Sequence, residues 1–134
     1  MGRGAARRIV RFGVIGCGLM GREFASAAGR WRHLLDLDFE PRIVAACDVS
    51  PSALEWFERN VPSLKLASSE VAQVLEAPQV EALYVALPHH LHQQVYIDAI
   101  CAGKHLLGEK PFGIDQPAND AILQAIQAHP EVLV

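Results

Sequence analysis

Short apolar runs alternate with longer amphipathic stretches along the whole 134-residue sequence, and no other feature constrains the fold as tightly. Residues 9–15 read as a strand, apolar except for Arg11 and Gly13. A continuous run of this kind suits a strand buried on both faces. Glycines follow, and then a helical stretch over about residues 20–32. Residues 43–47 read as a second strand. Ser50 as N-cap and Pro51 at the first helical position then open a helix. A short third strand over 64–67 precedes a helix that Ser68 or Ser69 caps and that runs to about residue 75. The fourth strand is expected at 82–87. The next helix, about 92–102, stops at Gly103, where a left-handed residue is favoured. The fifth strand covers 105–107. Asp115 caps the helix Gln116–Ala128, whose Ala118, Ile122, Ala125 and Ile126 share one face. Residues 132–134 begin a sixth strand. Strand and helix in strict alternation imply parallel pairing through right-handed crossovers, with helices on both faces. The expected fold class is therefore α/β, a doubly wound, mostly parallel sheet. Residues 31–41 fit least well. Leu34, Leu35, Leu37 and Phe39 suggest either a packed extension of the first helix or a short extra turn.

Composition narrows the partners. One domain's worth of chain, 51% hydrophobic, can build its own core without a metal or disulfide staple. A net charge of -3 with no basic face argues against a nucleic-acid partner. The basic residues Arg3, Arg7, Arg8 and Arg11 cluster at the start, and residues 1–8 read as a flexible, solvated arm before a domain over 9–134. The Arg7-Arg8 pair does not read as an export signal, because the apolar run after it is itself the first strand and leads into a glycine motif. No apolar stretch reaches the roughly 20 residues of a membrane span. Cys17, Cys47 and Cys101 are odd in number and not spaced as a CxxC pair, which leaves buried thiols in a reducing compartment. A soluble, cytoplasmic protein is expected.

The stretch Gly16-Cys17-Gly18-Leu19-Met20-Gly21 is a GxGxxG placed between a predicted strand and a predicted helix. That context raises a weak pattern to a candidate dinucleotide site in a Rossmann fold. Gly16 allows the tight turn, Gly18 lets a diphosphate reach the backbone, and Gly21 lets helix and strand pack closely. The helix mouth between them, including Leu19 and Met20, offers free N–H groups and a positive dipole end. A ligand-free glycine turn is the alternative. Asp48 ends the second strand, where a carboxylate accepts hydrogen bonds from an adenosine ribose and repels a 2′-phosphate. No arginine follows it closely, which favours NAD over NADP. The acid comes later than the usual roughly 20 residues, and residues 31–41 absorb the excess. A simple turn or cap near Ser50 is the alternative for Asp48.

Ligands of open parallel sheets bind beyond the carboxyl ends of the strands. Two polar clusters fall there. In Pro88-His89-His90-Leu91-His92, adjacent histidines diverge and no fourth ligand is evident, so a pocket-lining loop is favoured over a metal site. His92 alternatively serves the first turn of the next helix. In Glu109-Lys110-Pro111-Phe112-Gly113, Pro111 biases Lys110 toward extended backbone. Lys110 can then reach a nicotinamide and bond the oxygen whose proton moves as hydride is transferred. A surface salt bridge with Glu109 is an equally open reading of these residues.

These segments together resemble the N-terminal domain of the Gfo/Idh/MocA oxidoreductases. Phe12-Gly13-Val14-Ile15-Gly16-Cys17-Gly18-Leu19-Met20-Gly21 is similar to the family's opening, and Val44-Ala45-Ala46-Cys47-Asp48 to its second strand. Ala86-Leu87-Pro88-His89-His90-Leu91-His92 resembles its TPnxxH segment, with Leu87 where threonine is frequent. The most specific match is Ala102-Gly103-Lys104-His105-Leu106-Leu107-Gly108-Glu109-Lys110-Pro111, similar to AGKHVxxEKP. The resemblance implies that Gly16, Gly18, Gly21 and Asp48 hold the dinucleotide and that Leu87, Pro88, His89 and His92 border it near the nicotinamide. It implies that Glu109 and Lys110 contact the nicotinamide ribose and that Lys110 also reaches substrate. Substrates would be sugars, cyclitols or related polyols.

The resemblance further implies a second α+β domain with the substrate pocket, further catalytic residues and an oligomer interface. The sequence stops where that domain is expected to begin, so cofactor binding with little turnover is the expectation for this chain. Two other function classes compete. A non-catalytic nucleotide-binding regulator of the same family fits an isolated domain. A methyltransferase also uses a doubly wound sheet, but the three-glycine spacing and Glu109-Lys110-Pro111 argue against it.

Overall fold

The computed structural model describes residues 6–134, so most of the expected basic arm lies outside the described residues. Five strands form one sheet: β1 (Arg8–Ile15), β2 (Phe39–Cys47), β3 (Leu66–Ser68), β4 (Ala82–Val85) and β5 (His105–Gly108). Their spatial order is β3-β2-β1-β4-β5 and every pairing is parallel. Four helices connect them, α1 (Leu19–Gly29), α2 (Pro51–Asn60), α3 (Val71–Glu76) and α4 (His92–Cys101), and α5 (Gln116–Ala128) follows β5.

The sheet separates two apolar layers. Phe24 and Ala28 of α1 and Phe57 of α2 pack with Val14, Ile43, Ala46 and Tyr84 on one face. Val74 of α3, Tyr96 and Ile100 of α4 and Ile122 of α5 pack with Ile15, Leu83 and Val85 on the other. Alternate strand residues thus feed opposite cores, as the pleat requires. Two of the three side-chain caps read from the sequence form. Ser50 Oγ accepts from the Ala53 N–H and Asp115 Oδ1 from the Ala118 N–H. Gly103 adopts φ 74.

Several boundaries differ from expectation. Arg8 opens β1 rather than ending an arm, and Arg7 donates to the Leu37 carbonyl at 3.0 Å. β2 starts at Phe39, because Arg8 and Phe39 already pair there. These strand starts are half-exposed and polar, so they lack the apolar run that marks a buried strand. Between α1 and β2 the chain makes a short 3-10 turn, Trp31–His33, not a packed helical extension. Leu34 and Leu35 remain 51% and 89% exposed. β4 stops at Val85, leaving Ala86 and Leu87 in the following loop. α3 begins at Val71, with the Ser68 hydroxyl accepting the Glu70 N–H instead of capping the helix. Residues 132–134 do not form the expected sixth strand. One backbone bond, Leu106 N–H to the Leu133 carbonyl at 2.8 Å, joins them to β5, and a single bond makes no ladder. Of the thiols, Cys17 and Cys47 are buried but Cys101 is exposed, contrary to the buried reading of all three.

Candidate functional site

The strand order reverses between β1 and β4. The chain runs outward from β1 through β2 to β3, then returns to the other side of β1 with β4. The loops leaving two such strands diverge to opposite faces and open a crevice at their carboxyl ends. Gly16–Gly18 form one wall and Ala86–Pro88 the other.

Gly16 has φ 95, and a Cβ there would strike the Ala86 carbonyl. A Cβ on Gly21 would strike the Gly16 carbonyl, so the helix sits directly on the loop. Gly18 is different. It is the N-cap of α1, its φ is -73, and a Cβ on it would meet nothing within 4 Å. It has no side chain to cap the helix, and no acidic residue occupies the first turn. The mouth of α1 is therefore bare backbone, flanked by Leu19 and Met20, which are 65% and 48% exposed.

Asp48 stands beside this mouth at the end of β2. Its Oδ2 accepts the Cys17 N–H and its Oδ1 the Ser50 N–H, each at 2.8 Å. The turn-forming reading of Asp48 is thus satisfied. A carboxylate has about four lone-pair sites, so two remain for ligand hydroxyls. Burial first, then the Asp48 charge, then Cys47, push the Cys17 thiol up to about 12, and its Sγ faces the Cys47 carbonyl at 3.5 Å. Cys17 is a neutral packing residue beneath the loop.

On the other wall, Pro88 and His89 are exposed and Leu87 is half-buried. His92 is fully buried. Its Nε2 lies 2.9 Å from the Leu87 carbonyl and its Nδ1 2.7 Å from the Pro111 carbonyl. The ring stacks on Tyr96 at 4.8 Å. His92 therefore ties the loop after β4 to the loop after β5 and does not face the crevice.

Glu109 follows β5. Its Oε1 accepts the Tyr84 hydroxyl at 2.6 Å, and its carbonyl accepts the Tyr96 hydroxyl at 2.7 Å. Desolvation by burial, then the Glu109 interactions, raise both phenols above their ordinary range. No ion pair joins Glu109 to Lys110 among the described residues; the carboxylate turns to Tyr84. The Lys110 side chain is exposed and makes no hydrogen bond or ion pair among the described residues.

Tyr84 and Tyr96 were not singled out from the sequence. The available signal was a tyrosine in an otherwise aliphatic strand, since a buried hydroxyl needs a partner. Lys104 was also missed outside its motif. It is buried, and its Nζ donates to the carbonyls of Ala77 and Val80 at 2.9 and 2.8 Å.

The strand order, the bare helix mouth and the neighbouring acid define a nucleotide-binding α/β domain of the Rossmann class. Comparison with known sequences makes this specific. The profile of the Gfo/Idh/MocA oxidoreductase family, NAD-binding Rossmann fold, matches residues 10–134, and the chain belongs to that family. It is 30% identical over 125 residues to the inositol 2-dehydrogenase of Agrobacterium fabrum, covering 93% of this chain and 35% of that protein. An NAD-binding oxidoreductase from Klebsiella pneumoniae has a similar structure, with TM-score 0.80 and 28% identity over 93% of this chain and 33% of its own. Apo scyllo-inositol dehydrogenase from Lactobacillus casei shares the fold, with TM-score 0.83 at 23% identity over 96% of this chain and 36% of its own. The chain thus spans about a third of the length of these relatives. Among the described residues, no helix is long and apolar enough to cross a membrane.

Proposed function

We propose that this chain binds NAD in the crevice between β1 and β4. In this reading it is the cofactor domain of an enzyme that moves hydride between nicotinamide and a sugar, cyclitol or related polyol. One observation carries the reading: the uncapped mouth of α1 at Gly18, with open space where a Cβ would stand, next to a carboxylate with free acceptor sites. Backbone N–H groups and the positive end of the helix there suit a diphosphate. Asp48 accepts the ribose hydroxyls with its remaining lone pairs. Its charge opposes a 2′-phosphate, and Val49, Ser50 and Pro51 bring no guanidinium to offset it, which favours NAD over NADP.

When bound, the nicotinamide supplies the hydride donor or acceptor. The chain's own groups orient the exchange and handle the proton. Glu109 is fixed by Tyr84, so it presents a set geometry toward the nicotinamide ribose. Leu87, Pro88 and His89 wall the pocket on the β4 side. Lys110 is the catalytic residue of this reading, its ammonium bonding the substrate oxygen that gains or loses a proton. The polyol class is supported by the inositol dehydrogenases among the relatives. Three free cysteines support a reducing, cytoplasmic setting.

Thermal unfolding of the chain with NADH, NADPH or S-adenosylmethionine tests the cofactor assignment. A ligand at a hundred times its Kd stabilises the folded state by about 2.7 kcal/mol. NADH is expected to protect at lower concentration than NADPH, and S-adenosylmethionine not at all. A folded sample that no pyridine nucleotide protects ends the proposal.

A further inference from the structure

A groove of about 600 Å³ opens well away from the crevice. It lies between α1, the first half of β2 and the end of α2, with Pro41, Ile43 and Pro62 in its walls. The strand between Arg42 and Asp48 covers roughly 20 Å at about 3.3 Å per residue, so groove and crevice sit at opposite ends of the sheet.

Three guanidiniums line the groove, each from a different element: Arg22 of α1, Arg32 of the 3-10 turn and Arg42 of β2. Glu40 is the single carboxylate among the lining residues, and Arg42 holds it at 2.7 and 3.2 Å. Arg22 and Arg32 make no ion pair among the described residues. α1 and α2 both end at the groove, and each helix end contributes about half a negative charge. Three cations, one carboxylate and two helix ends leave a net charge of about +1. This concentration of positive charge stands out in a chain whose net charge is -3.

The walls are also aromatic. The chain has two tryptophans, and both line this groove. Trp31 is already engaged, with the Arg7 and Arg32 guanidiniums at 5.3 and 5.7 Å from its ring. Trp56 packs edge-on against Phe57 and is half-buried, which fixes it as an apolar wall.

We propose that this groove is a second ligand site, for a planar aromatic monoanion such as an aryl carboxylate. Its volume falls in the ordinary range of small-molecule pockets. Arg22 and Arg32 take the carboxylate, since planar guanidiniums match its two oxygens. Trp56 takes the ring. A dianion would exceed the net charge available, and a neutral ring would leave the Arg22 and Arg32 guanidiniums without a counter-charge.

Titration with benzoate tests the assignment, read by tryptophan emission and by the two indole N–H resonances. Both probes report this groove alone. Benzoate is expected to give a saturable change in both signals, unaltered by excess NAD. Arg22→Ala, half-buried, and Arg32→Ala, exposed, should each weaken it by about tenfold, with the melting temperature of Arg32→Ala left in place. Asp48→Ala should not affect it. No saturable change overturns the proposal. So does an equal response to benzyl alcohol or to acetate, which would mean that ring or charge alone suffices. Loss of the response in Asp48→Ala also overturns it, by moving the ligand to the crevice.

Discussion

Two glycines of one motif should fail in opposite ways. At Gly18, φ is -73 and a Cβ meets nothing within 4 Å, so alanine fits the folded backbone. Alanine is a poorer N-cap than glycine by up to about 1 kcal/mol. It also restricts the unfolded chain, which stabilises by about 0.4–1 kcal/mol. The two effects offset, and the stability of Gly18→Ala should stay within about 1 kcal/mol of the parent chain. The new methyl, however, fills the open face over the α1 mouth. A diphosphate held off by it loses one or two charge-assisted hydrogen bonds, each about 1.5–3 kcal/mol. NADH affinity should fall roughly a hundredfold. Gly16→Ala does the reverse work. At φ 95 its Cβ meets the Ala86 carbonyl, so the fold itself loses about 2 kcal/mol or more. Thermal unfolding and NADH fluorescence titration of both variants separate the two effects. A Gly18→Ala chain that melts normally and binds NADH normally refutes the placement of the diphosphate. An unchanged melting temperature for Gly16→Ala refutes the packing account of the turn.

Asp48→Ala should lower NADH affinity more than NADPH affinity, narrowing any preference by about tenfold; parent protein that prefers NADPH contradicts the role given to Asp48. A thiol-reactive label should modify the exposed Cys101 first, because burial and then the Asp48 charge hold Cys17 and Cys47 up at about 12 and about 11; mass spectrometry of the native chain showing equal labelling counts against this. Tyr84 and Tyr96 are raised above 10.0 by burial and Glu109, so the unfolded chain releases their protons first. Their contribution to stability is full below pH 10.0 and falls as pH rises beyond it, and in urea titrations Tyr84→Phe should flatten that decline. Lys104→Ala leaves the Ala77 and Val80 carbonyls without their donor and should cost about 2 kcal/mol in the same assay.

The order of elements was legible because each strand carries a compact apolar run and because Ser50 and Asp115 mark two helix starts and Gly103 one helix end. Ser50, Gly103 and Asp115 act within a few residues of themselves, and local chemistry is what a sequence displays directly. Alternation implied parallel strands, and with them the placement of Gly18 and Asp48 at one end of the sheet; the reversal of strand order between β1 and β4 is seen only in the fold. What stayed hidden depends on distant partners. Nothing around His92 signals that its two ring nitrogens meet carbonyls of Leu87 and Pro111, so a histidine in a polar cluster read as pocket lining. Glu109 and Lys110 looked like a pair because they are adjacent. The fold instead turns the glutamate to Tyr84 on the neighbouring strand. The starts of β1 and β2 were missed for a related reason. Half-exposed strand ends carry Arg8, Glu40 and Arg42, which give no apolar signal.

Three ties hold the crevice in shape. Asp48 clamps the glycine loop to the end of β2 through Cys17. His92 bridges the loops after β4 and β5. Tyr84 and Tyr96 fix Glu109 from below. Each tie joins adjacent strand ends, and each involves a half-buried or buried polar group whose loss leaves a partner unsatisfied. Preorganisation of this kind lowers the ordering cost of binding, because the walls do not have to assemble around the ligand. Lys110 stands apart from the network. Its neighbours on both sides, Glu109 and Pro111, are anchored through the tyrosines and His92, while its own side chain is exposed and has no partner among the described residues. A fixed backbone carrying an uncommitted ammonium is the arrangement that a proton-handling group requires. Under the proposed function it can meet a substrate oxygen without first breaking a bond to the protein, which favours Lys110 over the glutamate beside it for that role.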